Sequence, residues 1–265
     1  MSILQLVGKR LARYLSQPGK KSSEISLATS PSELSAATLR KGDVLLVEGN
    51  SRFSTAVKYL TQSTWSHAAL YIGDAMGEPQ LGAEPHVLIE ADINEGVHTV
   101  PFSTYSGLHT RICRPIGLAP DEIDAVIAHA MLRLGHKYDL KNILDLIRYL
   151  IQIPPVPGQF RRRLLALGSG DPTQAICSSM IAQAFQSVRY PILPLMTTVP
   201  SRVPKARIQE EEILHIRHHS LFTPRDFDIS PYFQIVKPTI EQGFDFHTLK
   251  WGDAESENNN PDIKN

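Results

Sequence analysis

The sequence predicts an α+β fold in which an antiparallel sheet packs against helices. Two observations lead there. Between residues 43 and 115, short apolar runs closed by Gly, Pro, Asn or Asp follow one another. From Pro120 the apolar spacing becomes helical, with Ile123, Val126, Ile127 and Ala130 behind Asp121 and Glu122.

Taken in order, the chain opens with Leu4, Val7, Leu11, Tyr14 and Leu15 at helical spacing. Lys9, Arg10, Arg13, Lys20 and Lys21 stand among them, with no acid before residue 23. This is a basic amphipathic helix, and the Ser-, Thr- and Lys-rich residues 17–38 read as a linker. "KGDVLLVEG" gives a turn and a strand, and "RFSTAVKYLTQ" a helix through Phe53, Val57 and Leu60. A strand starts at His67, a Gly/Pro loop follows, and "HVLIEAD", "GVHTVPF" and "HTRICRP" are further strands. After the Pro120 helix a second is expected around 143–150. "LIRYLIQIPPVPGQFRRRLLALGSG", residues 146–170, has no acid, and its prolines interrupt two apolar, basic segments in the manner of an inserted flap. "DPTQAICSSMIAQAF" reads as a helix start and helix, and the polar tail 253–265 as disordered. The expected organisation is a helix and linker over 1–38, one domain over 39–252 with the basic insertion, and the tail.

Composition narrows the function. With 265 residues and 42% hydrophobic content the chain can bury a sizeable core, and 27 basic residues balance 27 acidic ones, which argues against nucleic acid as a partner. Two cysteines, Cys113 and Cys177, are too few for a disulfide framework, and no signal-peptide pattern stands at the N-terminus. A cytoplasmic protein is expected. No apolar run approaches the length of a spanning helix, although the two basic, apolar segments suit peripheral contact with an anionic membrane surface at its inner face.

The run "STWSHAALYIGD" raises a chemical question, because His67 stands at the mouth of an apolar strand. Alone, such a histidine is ordinarily a structural residue with its hydrogen bonds satisfied. Cys177 changes the weighing. It follows the helix-start residues Asp171, Pro172 and Thr173, so it falls in a first turn, where free backbone N–H groups and the helix dipole favour a thiolate. Such a nucleophile needs a base, for which His67 is the candidate, and the base needs an orienting group. Glu90 fits that third position because a carboxylate inside an apolar strand is costly without a cationic partner. His86 is the alternative: four residues earlier on the same strand, it would share the face of Glu90 at a distance of roughly 13 Å. Trp65, Ser66 and Ser178 are expected to line a cleft. Asp43 reads as a turn residue, Cys113 as core, and His215, His218 and His219 as a solvated face rather than a metal site.

"KGDVLLVEG", "WSHAALYIGD", "LIEADINEGVHTVPF", "HKYD", "ICSSMIAQAF" and "LFTPRDFDISPYF", in this order, resemble the YiiX-like branch of the NlpC-type papain-like hydrolases. The resemblance spans about residues 40–236. It implies a circularly permuted papain-like fold in which the histidine strand precedes the cysteine helix. It also implies a cysteine hydrolase with Cys177 as nucleophile, His67 as base and Glu90 as third polar group, needing no metal or organic cofactor. The resemblance adds Tyr138 to the residues expected to line the cleft. In the related lecithin:retinol acyltransferase-like families the third group is a second histidine, which keeps His86 in play. Ser179 stands where an acidic residue is expected in relatives. The substrate implied is an amide- or ester-containing small molecule, a peptide or a lipid. A membrane-surface acyl-lipid hydrolase or acyltransferase, and a non-catalytic binding protein retaining the fold, are the alternatives.

Overall fold

The computed structural model describes residues 17, 30–92, 94–136, 176–200 and 210–249. The expected N-terminal helix, the helix around 143–150, the insertion 146–170, Tyr138 and the tail lie outside the described residues.

The sheet is built around β1 (Val44–Val47), whose four residues are all buried. On one side β1 pairs antiparallel with β2 (His67–Tyr71), and on the other with β5 (Thr110–Pro115). β3 (His86–Asp92) and β4 (Gly96–Pro101) form a hairpin beyond β2, and β8 (Phe233–Val236) lies beyond β5. The order of this six-stranded sheet is β4-β3-β2-β1-β5-β8. β6 (Leu195–Pro200) and β7 (Glu210–His215) make a separate antiparallel pair, which sequence reading did not anticipate.

Alternation of side chains along the strands sorts the core onto the two faces. Val44, Leu46, Ala68, Leu70 and Ile89 contribute to one buried cluster, together with α3 (Pro120–Met131) and α4 (Ile176–Ser187). Leu45, Val47, Ala69, Leu88 and Ile112 contribute to the other. Pro120 opens α3 at a position where its missing N–H costs nothing, and Glu122 Oε2 accepts the Ala119 N–H at 2.9 Å. Gly42 makes the sharp turn into β1 at φ +86°, where an added Cβ would meet Ile123 Cγ2 at 3.1 Å.

α4 is anchored along its length. Ile181, Ala182, Ala184 and Phe185 are fully buried, and the Phe185 ring packs against Tyr190, Phe227 and Phe233. These rings tie α4 to α5 (Pro224–Asp228) and to β8. The Tyr190 hydroxyl accepts the Ile116 N–H at 2.8 Å and donates to the Tyr232 carbonyl at 2.5 Å, joining the end of α4 to the sheet margin.

Two local expectations are corrected. The end of the expected linker is a helix, α1 (Ser32–Thr38), terminated where Arg114 Nη2 donates to the Thr38 carbonyl at 2.9 Å. Two alanines and this docking to the sheet margin outweigh the polar composition. Asp43 does more than shape a turn. Its carboxylate accepts Arg114 Nε and Nη2 at 2.9 and 2.8 Å as well as the Arg40 N–H at 2.8 Å, a buried bidentate ion pair.

Candidate active site

His67 begins β2 opposite Val47, so its imidazole emerges at the end of a paired strand while its backbone is held in the sheet. The register Leu70–Ile89 and Tyr71–Leu88 sets His67 and Glu90 on the same face of the sheet. The β2–β3 pairing covers only those two residue pairs and stops short of His67, so the two side chains meet across a diagonal. His67 Nε2 donates to Glu90 Oε2. The Tyr105 hydroxyl, from the 3-10 turn Phe102–Tyr105, donates to the same carboxylate oxygen and lies 3.1 Å from His67 Nε2.

Cys177 reaches the same imidazole from the other side of the sheet. It is the second residue of α4, and its side chain is in hydrogen-bond and charge contact with His67. Burial pulls the His67 imidazolium down, yet the neighbouring Cys177 and Glu90 outweigh it and hold His67 well above its usual range. Glu90 is 6% exposed. Burial alone would raise its carboxyl, but His67 and then His98 hold it down at about 2. The site therefore keeps a carboxylate, an imidazole and a thiol in line, an arrangement able to pass a proton from sulfur to nitrogen and keep it there.

His98 is a residue that sequence reading missed. It lies directly opposite Glu90 in the β3–β4 register, and its Nε2 is 3.1 Å from Glu90 Oε1. Each oxygen of the carboxylate thus has its own imidazole. A signal was present: counting outward from the Gly96 turn in "LIEADINEGVHTVPF" pairs the two residues. Tyr105, in a 3-10 turn, offered no periodicity from which to infer it.

His86, the alternative third residue, is not brought to His67. The register shifts between His86 and Leu88, and the exposed ring bonds through Nδ1 to Thr99 Oγ1 at 3.0 Å. That bulge breaks the simple alternation on which a shared face with Glu90 was expected.

The expected cleft residues within the described chain are used inside the fold. Trp65 is 3% exposed, its Nε1 donates to Asp228 Oδ2 at 3.0 Å, and Arg111 lies over its ring. The Ser66 hydroxyl accepts the Gly49 N–H at 2.9 Å, and the buried Ser178 hydroxyl donates to the Phe222 carbonyl at 2.8 Å. Ser179 is buried, and its Oγ has no hydrogen-bond partner among the described residues. Cys113 is fully buried in β5, where desolvation drives its thiol far above the usual range. Among the described residues no group of three or more His, Cys, Asp or Glu could hold a metal ion. The His218 and His219 rings stack at 4.1 Å, and His218 Nδ1 bonds to the Ser220 hydroxyl. No helix of the described residues is long and apolar enough to cross a membrane.

Comparison with known proteins bears on this arrangement. No curated protein matches the chain. Among solved structures it is similar to one described as metalloprotein yiiX from Escherichia coli O157:H7. The two share 16% identity over 75% of this chain and 96% of that one, with a TM-score of 0.43. Residues 38–148 match the family described as permuted papain-like amidase enzyme, YaeF/YiiX, C92 family. The matched residues hold β1 to β5 with His67, Glu90 and His98, and Cys177 lies beyond them. Over these residues, 111 of the 265, the chain is similar to the YiiX-like permuted papain-like amidases.

Proposed function

We propose that the protein cleaves an amide, peptide-like bond or an ester through a Cys177–His67–Glu90 triad and a thioester acyl-enzyme. The observation that carries this reading is the position of His67, held by Glu90 on one side and in contact with Cys177 on the other.

In the proposed reaction Cys177 attacks the substrate carbonyl as a thiolate, its proton residing on His67. The carbonyl oxygen takes the electron pair and is stabilised by first-turn backbone N–H groups of α4, including that of Cys177. Collapse of the tetrahedral species breaks the bond to the leaving amine or alcohol, which takes the proton from His67 and leaves a thioester. Water then attacks the thioester while His67 accepts its proton. Sulfur departs, the carboxylic acid product is released, and the thiolate–imidazolium pair is restored. Glu90 keeps Nε2 as the protonated nitrogen and stabilises the cation formed in each half. The steps require no metal or organic cofactor.

The test is activity-based labelling of Cys177 with amide and ester probes of matched intrinsic reactivity. Cys177-dependent turnover of one probe class identifies the bond. Labelling without turnover of either class favours a binding protein that retains the fold.

A second reading, an acyl-lipid hydrolase or acyltransferase at an anionic membrane surface, is favoured by the two acid-free basic segments in the sequence. It expects sedimentation with anionic vesicles that weakens with salt and with replacement of Arg161, Arg162 and Arg163 by Ser. No binding at low salt would remove it.

A further inference from the structure

Glu90 offers two oxygens, and the triad uses one. The other is held by His98, whose ring is bonded at both nitrogens: Nε2 faces Glu90 Oε1 at 3.1 Å and Nδ1 faces the Gly96 carbonyl at 3.1 Å. Both partners are acceptors without a proton to give. A neutral imidazole carries one ring proton and satisfies one acceptor, whereas the doubly protonated ring satisfies both. We propose that His98 is a positioning residue for the reaction above, a standing imidazolium that pins Glu90 Oε1 so that Oε2 stays on His67.

The local structure builds this contact. Asp92 Oδ1 accepts the N–H groups of Asn94 and Glu95 at 2.9 and 2.6 Å, which closes the β3–β4 turn. Gly96 follows at φ +81° and aims its carbonyl back at the His98 ring. The margin of β4 is steadied in turn, because Val97 exchanges backbone hydrogen bonds with Gly135 and His136 at 2.8 and 3.0 Å. The charged groups facing His98 are Glu90 and Asp92 of β3 and Glu95 of the turn, at 3.9 Å, with His67 on the far side of Glu90. The hydrogen bond to Glu90 outweighs burial, and with the Gly96 carbonyl it raises His98 to about 9.

A pinned carboxylate and a merely nearby cation make opposite demands on His67. Removing a cation from the neighbourhood raises the proton affinity of His67, whereas releasing Glu90 lowers it. The proposal rests on the triad reading for its consequence in catalysis, but the state of the ring is measurable without any substrate. Ring-nitrogen NMR of the full chain is expected to show His98 protonated at both nitrogens at pH 7, and to show it neutral there in Glu90→Gln. The His67 midpoint is expected to fall by about one unit in His98→Ala. In His98→Gln, whose amide still donates to Oε1, it should stay at or above the wild-type value. With the cleavable probe, kcat should fall in His98→Ala at unchanged KM and recover in His98→Gln. A neutral His98 at pH 7 in the wild type overturns the proposal, as does a rise of the His67 midpoint in both variants. If the wild type turns over no amide or ester, the triad reading fails, while the ring measurements still decide the charge and pinning role of His98.

Discussion

Two buried carboxylates serve the two ends of β2, and their partners differ in one chemical respect. Asp43, beside Tyr71, takes a bidentate pair from Arg114, a side chain that does not release its proton in this range. Glu90, towards His67, takes its hydrogen bonds from two imidazoles and a phenol. The balance of forces differs too. Burial raises the Asp43 carboxyl in spite of the arginine, whereas Glu90 is held at about 2 because its imidazole neighbours outweigh its burial. The same element, a carboxylate inside a sheet, is a fixed ion pair where its partner cannot titrate and, in the proposed reaction, machinery where its partners can. Exposure does not separate the two, since the side chains are 1% and 8% exposed.

The largest break in this comparison should come from the groups that Glu90 serves. Cys177→Ala and His67→Ala are each expected to reduce turnover by about 10³-fold or more with little change in thermal stability. The double variant should be no worse than either single one, because the groups act as a unit. Asp43→Asn should behave in the opposite way. It leaves the half-enclosed Arg114 facing a lost charge, at about 3–5 kcal/mol of stability by denaturant unfolding, with kcat of the folded fraction unchanged. Glu90→Gln should cost about tenfold to a hundredfold in kcat, roughly 1.4–2.7 kcal/mol of barrier, because an amide still orients His67 but no longer balances its charge. An unaffected Glu90→Gln together with an inactive Asp43→Asn would reverse the assignment of scaffold and machinery.

A smaller effect concerns stability against pH. His98 is raised to about 9, so its contribution is complete below about 6.5 and is lost as pH rises through 9. Glu90 is lowered to about 2, so its contribution is complete above about 4.5 and is lost as pH falls through 2. The contribution of this pair to Tm should therefore be greatest between about pH 4.5 and 6.5. Subtracting the Tm–pH curve of the His98→Ala, Glu90→Gln double variant should reveal that window. A difference that keeps growing above pH 9 would show that these charges are not its source.

Much of the strand-borne half of the site was legible because polar residues stand out in apolar strands. His67 heads a strand whose next three residues are buried, and Glu90 stands between buried Ile89 and Ala91; desolvation makes a polar residue at such a place meaningful without any coordinates. His98 was hidden in a strand read only for its periodicity, although the hairpin register would have paired it with Glu90. The exclusion of His86 rests on a β-bulge, which composition does not announce. The β6–β7 pair and α1 were likewise illegible. The first lies among histidines and acids that read as a solvated face, and the second has only one short stretch of helix formers. Trp65 and Ser66 precede His67 in sequence, but their side chains bond to Asp228 and to the Gly49 N–H, which adjacency alone does not reveal.

The most direct measurement is the alkylation of the two cysteines at neutral pH in wild type and His67→Ala, each thiol read by mass spectrometry. Cys113, sealed in β5, and Cys177, in contact with His67, provide the contrast within one chain. Cys177 is expected to react and Cys113 to remain unmodified in the wild type, with the Cys177 rate falling sharply in His67→Ala while the fold is retained. Equal labelling of both thiols, or a Cys177 rate indifferent to His67, would contradict it.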